Sequence, residues 1–441
     1  MAATCADPRR KECLGPAGHD TDRVGGAGGA GRAPACSGGC VVIDSREEWQ
    51  RMKRLAVLCV VIMAGLVSAV AGRATQQPLL AAAPGSPFSL DPAPTAVAIG
   101  DVTADGHPDV LIAHSQSRTV RVLTGDGTGG LTRTLPPMTL AYPPSELALA
   151  DVNGDRRIDL GISDHGDYAI DILLNDGAGT FTPARGSRFV ATAGTRPHTH
   201  GFALIDVNRD GHSDIVMGNN DDDTIAVMLG DGNGGFTRGS QSPFAVGPSP
   251  YPFGAGDLDD DGALDLSVPS SGTGANRTAG RELTLLRGNG RGGFQFAAGS
   301  PVAVPANPYF VAVGDVNGDA RRDLAVSHNG SSQFSILLNT PAGFVAAPQS
   351  PLTLPARAFA VLMADLNGDG RDDVVSGTGA GVVVLLGTAS GVTVAPGSPF
   401  RAGASAWNIA AGDLNGDGRA DIAAIDFDSS SLTILLGRYS G

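Results

Sequence analysis

The chain has 441 residues, 63 of them glycine, and a formal net charge of −14. That charge, with no basic patch, argues against nucleic acid as a partner, and a glycine share about twice the usual ~7% favours a turn-rich, all-β chain over a helical one. All five cysteines (Cys5, Cys13, Cys36, Cys40 and Cys59) precede residue 60, so neither disulfides nor thiolate metal sites hold the remainder together.

Residues 1–51 are rich in Gly, Ala, Cys and Arg without periodicity and read as a non-native or disordered extension. Residues 52–71 read as a secretory signal. Met52-Lys53-Arg54 is the basic head, Leu55 to Ala71 is free of charge, and Ala69-Val70-Ala71 is the small-x-small pattern a signal peptidase accepts. The alternative is a membrane anchor, if residues 55–71 stay attached. Under either reading the body is exported, to the medium, the periplasm or the cell surface. A linker over 72–84 then leads into a repeat region over 85–441.

The segment Asp413-Leu-Asn-Gly-Asp-Gly-Arg-Ala-Asp421 recurs upstream, with copies beginning at Asp101, Asp151, Asp206, Asp257, Asp315 and Asp365. Successive copies are 50, 55, 51, 58, 50 and 48 residues apart. Seven units of this regularity are the mark of a repeat architecture. Short alternating stretches such as Val311-Ala-Val-Gly314 precede each copy, and Leu324-Ala-Val326 and Ile336-Leu-Leu338 follow it. A Gly-rich turn such as Gly230-Asp-Gly-Asn-Gly-Gly235 then opens a fourth strand. Four short strands per unit predict a seven-bladed β-propeller of four-stranded antiparallel blades. The last unit stops after its third strand, while Gly85-Ser-Pro-Phe88 repeats the Gly397-Ser-Pro-Phe400 of an earlier blade. The N-terminal strand is therefore expected to complete the last blade and close the ring.

The recurrent loop suits Ca²⁺, which takes six to eight oxygens in a flexible shell. Side chains at positions 1, 3, 5 and 9 would supply them, together with the carbonyl at position 7. The candidate ligands are Asp101, Asp105 and Asp109 in the first loop, and Asp151, Asn153, Asp155 and Asp159 in the second. Asp206, Asn208, Asp210 and Asp214 form the third set, and Asp257, Asp259, Asp261 and Asp265 the fourth. The last three are Asp315, Asn317, Asp319 and Asp323; Asp365, Asn367, Asp369 and Asp373; and Asp413, Asn415, Asp417 and Asp421. Up to seven ions are expected. The first, second and fifth loops depart furthest from the pattern, through Thr103, Arg156 and Ala320, and the fourth is the richest in carboxylates. An EF-hand is excluded, because its twelfth-position Glu is replaced by Ala424, Val326, Ser376 or Met217 and the flanks read as strands.

These units resemble FG-GAP/VCBS repeats, the propeller repeats of integrin α-subunit heads and of many exported bacterial proteins. The resemblance implies calcium loops on a lower face and ligand binding on the opposite, upper face. Six residues before each loop stand Thr95, Ser145, His200, Tyr251, Tyr309, Phe359 and Trp407, an aromatic-rich series. Five residues after each loop stand His114, Asp164, Asn219, Ser270, His328, Thr378 and Asp426, all polar. Together they predict an aromatic arc beside a polar ring at the channel mouth, suited to an extracellular glycan or protein. The alternative places those aromatics as wedges between blades. No catalytic motif is present, so a non-catalytic binding or adhesion module leads, and a polysaccharide lyase or hydrolase working at the channel mouth is the alternative.

Overall fold

The computed structural model describes residues 77–164, 166–167, 169–190, 199–273 and 278–438. The expectations for residues 1–76 lie outside the described residues. Among the described residues no helix is long and apolar enough to cross a membrane.

Blade five shows why the repeat folds as it does. Pro308–Gly314, Asp323–His328, Gln333–Thr340 and Gly343–Ala346 pair antiparallel in sequence order. Val311 faces Val326 and Leu324 faces Leu337, so apolar side chains stack across neighbouring strands. A two-residue strand, Leu352–Thr353, then pairs back onto Gln333 and Phe334. Seven sheets of this kind begin at Pro94, Pro144, Thr199, Gly254, Pro308, Ala358 and Asn408. The predicted all-β, seven-bladed propeller is the observed fold.

The apolar core lies between sheets rather than within one. Ile170 and Ile172 of blade two pack on Ile215 and Met217 of blade three, and Val110 and Ile112 of blade one pack on Ile425 and Ile434 of blade seven. The second strand of each blade is buried on both faces along most of its length. Backbone bonds also stitch blade to blade through the Gly-rich turns. The N–H groups of Gly179, Gly234 and Gly292 donate to the carbonyls of Val102, Val152 and Val207 in the preceding blades. Gly129 donates likewise to Leu414, joining blade one to blade seven.

The N-terminal strand closes the ring as expected, but the closing element is longer than Gly85-Ser-Pro-Phe88. Leu80–Ala82 is the fourth strand of blade seven, with Leu80 opposite Gly437 and Ala82 opposite Leu435. Phe88–Ser89 adds the short outer pairing with Ser431 and Leu432. The Ser of the Ser-Pro-Phe element has a fixed task, which is to accept the N–H of a third-strand residue. Ser398 Oγ takes it from Val384 at 3.0 Å, and Ser86 Oγ takes it from Ile434 at 2.8 Å across the seam.

Candidate functional site

All seven acidic loops share one backbone course. Position 6 has positive φ in each, from Gly106 at +86° to Gly418 at +80°, and Arg156 at +67° and Ala320 at +69° follow the same path. Non-glycine residues adopt this conformation at a cost of roughly 1–2 kcal/mol, so the loops that lack the turn glycine keep its geometry. The first-position Asp organises the turn. Asp413 accepts the N–H groups of Asp417 and Gly418, and Asp315 those of Gly318, Asp319 and Ala320.

The ninth-position Asp has a second role that the sequence pattern did not reveal. Asp421 is fully buried, with Oδ2 accepting the N–H of Leu414 at 2.9 Å and Oδ1 that of Gly437 at 2.7 Å. Asp109, Asp159, Asp214, Asp265, Asp323 and Asp373 repeat this arrangement. Each ties the loop to the end of the third strand. Burial is the main reason that the Asp214, Asp265, Asp323, Asp373 and Asp421 carboxyls are raised to about 6, with the backbone bonds opposing it and neighbouring loop aspartates adding to it.

Among the described residues, one loop gathers three carboxylates closely enough that they could hold a metal ion. In the fourth loop Asp257, Asp259 and Asp265 offer carboxylate oxygens that all lie within 4.8 Å of one another. Arg287 also reaches this loop, with Nε 2.6 Å from Asp259 and Nη2 2.7 Å from Asp261. That half-exposed guanidinium offsets part of the charge that makes the fourth loop the richest. In the first loop Thr103 turns its hydroxyl onto Asp109 at 3.1 Å, a contact the Asn of other loops does not make. Asn153, Asn208, Asn317, Asn367 and Asn415 instead lie against the fifth-position Asp of their own loops.

The upper face is shaped by a repeated irregularity. The first strand changes register against the second between Pro94 and Ala96, Pro144 and Leu147, Thr199 and Phe202, Pro308 and Val311, and Ala358 and Val361. Bulges of this sort re-aim side chains beside functional sites. In these five blades they fall on Thr95, Ser145, His200, Tyr309 and Phe359, the residues six before the loop. Thr95, Ser145, His200, Tyr309 and Trp407 line one cavity of about 420 Å³. The aromatic arc is a contiguous stack: His200 lies 4.5 Å from Tyr251, and Tyr251 lies 4.6 Å from Tyr309, between ring centres. Tyr309 in turn meets Phe310 edge-on at 4.7 Å. His200, Tyr251, Tyr309 and Trp407 are half-buried, which leaves ring surface for a ligand.

Two parts of the expected face are placed elsewhere. Phe359 is 5% exposed, packed on Trp407 at 5.0 Å and covered by the Arg357 guanidinium, so it is a wedge rather than a cavity wall. The polar ring is not at the mouth either. His114, Asp164, Asn219, Ser270, His328, Thr378 and Asp426 are all buried, and none lines this cavity. Except for Ser270, whose hydroxyl has no hydrogen-bond partner, they bond the segments and turns beside the strand ends. His114 Nδ1 meets the Asp91 carbonyl at 3.1 Å, and His328 bridges the Ala306 carbonyl and Ser335 Oγ. Asp164 pairs with Arg188, and Asn219 donates to Thr224 Oγ1 at 3.0 Å. Thr378 donates to the Gly381 carbonyl, and Asp426 accepts the N–H groups of Ala404, Ser405, Asp428 and Ser429.

The cavity also contains a residue the pattern did not single out. Glu146 lies beside Ser145 in the bulge of blade two, and its Oε1 accepts the Gly201 N–H at 2.9 Å. Its Oε2 is buried without a hydrogen-bond partner. Burial raises this carboxyl to about 7, against the pull of the Gly201 and Phe202 N–H groups. The same burial raises the Tyr309 hydroxyl.

Seven sheets around one axis, each with an acidic nine-residue loop between its first two strands, define an acidic-loop repeat propeller. Matches to the FG-GAP-like repeat cover residues 101–162, 151–217, 206–268, 315–376 and 365–424. The chain belongs to the FG-GAP repeat family. No curated protein matches the sequence. Among solved structures it is similar to BBS1N in a complex with ARL6DN, at 16% identity and a TM-score of 0.56, over 83% of this chain and 99% of that one. Streptogramin B lyase is similar at 14% identity and a TM-score of 0.51, over 80% and 97% of the two chains. Virginiamycin B lyase from Staphylococcus aureus is similar at 13% identity and a TM-score of 0.50, over 79% and 98%. At these identities the likeness is one of fold.

Proposed function

We propose that the protein is an exported, calcium-binding propeller that works as a non-catalytic binding or adhesion module for an extracellular glycan or protein. The observation that carries this reading is the aromatic-walled cavity at the channel mouth, on the face opposite the acidic loops. Calcium would be held by the side chains at positions 1, 3, 5 and 9 in six loops, and by Asp101, Asp105 and Asp109 in the first. The bound ion would cancel carboxylate repulsion around the lower face and stiffen the ring that carries the cavity. Glycan hydrolysis normally uses two facing carboxyl groups, whereas Glu146 is the one carboxyl among the described residues lining this cavity. That favours recognition over hydrolysis.

A glycan array and a surface-protein capture screen with the whole chain test the reading. Trp407→Ala and Tyr309→Ala should each weaken a captured ligand about tenfold, in line with ~0.5–1.5 kcal/mol for aromatic stacking beyond area burial. The melting temperature should stay nearly unchanged. Loss of stability by roughly 3–5 kcal/mol with binding unaffected would show that these rings are core wedges instead.

A further inference from the structure

The cavity at the channel mouth combines two features that together specify a ligand charge. Its walls include the rings of His200, Phe202, Phe253, Tyr309, Phe310 and Trp407. Among the described residues its one carboxyl is Glu146, whose Oε2 is buried with no hydrogen-bond partner. No Lys or Arg among the described residues lines the space. A buried acceptor left unsatisfied costs about 1–3 kcal/mol, and more if it is charged. The faces of aromatic rings attract cations within about 6 Å of the ring centre, most strongly where water is excluded.

We infer that this cavity binds an organic cation, specifically an alkylated ammonium group, with the Glu146 carboxylate as its counter-ion and the aromatic walls around its methyl groups. The inference rests on the binding reading above and names the chemistry of what enters the mouth. A volume of about 420 Å³ accommodates a trimethylammonium head with its stem leaving toward solvent. The second oxygen, Oε1, is held by the Gly201 N–H, so the carboxyl is already oriented when the ligand arrives. A neutral sugar hydroxyl could hydrogen-bond a carboxylate, which a trimethylammonium head cannot, but it brings no charge for the carboxylate and the ring faces to attract. A cation gains from both.

The titratable groups around Glu146 are His200, Tyr309 and Tyr251, with Arg357 beyond Phe359. Binding a cation requires the ionised carboxylate, so affinity should rise with pH through about 7.

The test is calorimetric titration of the whole chain with choline and with its uncharged isostere 3,3-dimethyl-1-butanol, at pH 8 and pH 5.5. Choline should bind at least ~10-fold more tightly than the isostere at pH 8, a margin of ~1.4 kcal/mol, and the preference should shrink at pH 5.5. Glu146→Gln keeps an acceptor for the Gly201 N–H and should cut the choline preference severalfold, to what the ring faces alone supply, with an unchanged melting temperature. Trp407→Leu, which leaves the carboxyl in place, should weaken choline severalfold. Equal affinity of the two compounds at pH 8, or a preference undiminished by Glu146→Gln, would overturn the cation assignment. So would failure of both compounds to bind. The wider binding reading is judged separately, by whether Trp407→Ala weakens a captured glycan or protein.

Discussion

Lowering the pH should expose how blade five is held together, because His328 is a buried imidazole with both nitrogens engaged. It is fully buried at the end of the strand Asp323–His328, with Nδ1 3.2 Å from the Ala306 carbonyl and Nε2 2.9 Å from Ser335 Oγ. Burial lowers its pKa from 6.5 to about 4, against the pull of the Ala306 and Pro305 backbone. The folded state therefore holds the neutral ring, while the unfolded chain takes up a proton near pH 6.5. The stability this group contributes is complete above pH 6.5 and is lost as pH falls through about 4. At ~1.36 kcal/mol per pH unit, that interval amounts to roughly 3 kcal/mol. Taking ~2.1 cal/mol/K per residue for the entropy of unfolding, a ring of this size would lose about 4 °C in melting temperature. The comparison protein is His328→Asn, since blade three carries Asn219 at the equivalent place. The variant should melt below the parent at pH 8, and the gap should close by about 4 °C between pH 7 and pH 4. Other acid-titrating groups are common to both proteins and cancel in the difference. A gap that stays constant across this range would refute the reasoning.

Three further outcomes are expected. Chelation should lower the melting temperature substantially, with recovery on adding calcium but little on adding magnesium, because sites with dissociation constants of about 10⁻⁴–10⁻³ M each contribute around 1 kcal/mol near millimolar calcium; an unchanged melting curve in excess chelator would rule the ions out. Gly201 has φ +76° and an added Cβ would lie 2.6 Å from Pro252 Cα, so Gly201→Ala should cost on the order of 1–3 kcal/mol through strain at that φ and disturb the His200–Tyr251 stack, measured by thermal melting and by loss of ligand binding. N-terminal sequencing of the exported protein should begin at or near Gly72; an intact membrane-bound chain would favour the anchor.

Much of this was legible because the loop motif is dense. Nine positions with four oxygen-bearing side chains, repeated at near-constant spacing, locate the first two strands of every blade, and alternation does the rest. The outer edge was harder to read. Leu80–Ala82 carries no repeat signature, so the closing strand was recognised only through its Ser-Pro-Phe neighbour. The polar ring from His114 to Asp426 was misplaced for a physical reason. Polar residues at strand ends read as solvent-facing, but here connecting segments fold over them and use them as anchors. Glu146 escaped because counting equivalent positions isolates what recurs. Its counterparts are Ala96, Gly201, Pro252, Phe310, Ala360 and Asn408, and a functional group present in one blade alone has no periodic signal.

The antiparallel pairing of Leu80 with Gly437 has a mechanical consequence. Residues 79 and 438 leave the ring at the same corner, joined by the Arg438 N–H to the Leu79 carbonyl, on the face that carries the acidic loops. A force pulling these two ends apart would peel the seam one residue pair at a time and meet little resistance. A force running from residue 79 to the opposite rim, where the cavity opens, acts along the strand instead. It would load the pairs from Leu80 to Ala82 and the Ser86 contact together, and a seam loaded in shear yields at higher tension than one that is unzipped. A propeller held by its N-terminal side while gripping a ligand at the mouth would thus be pulled in its stronger direction.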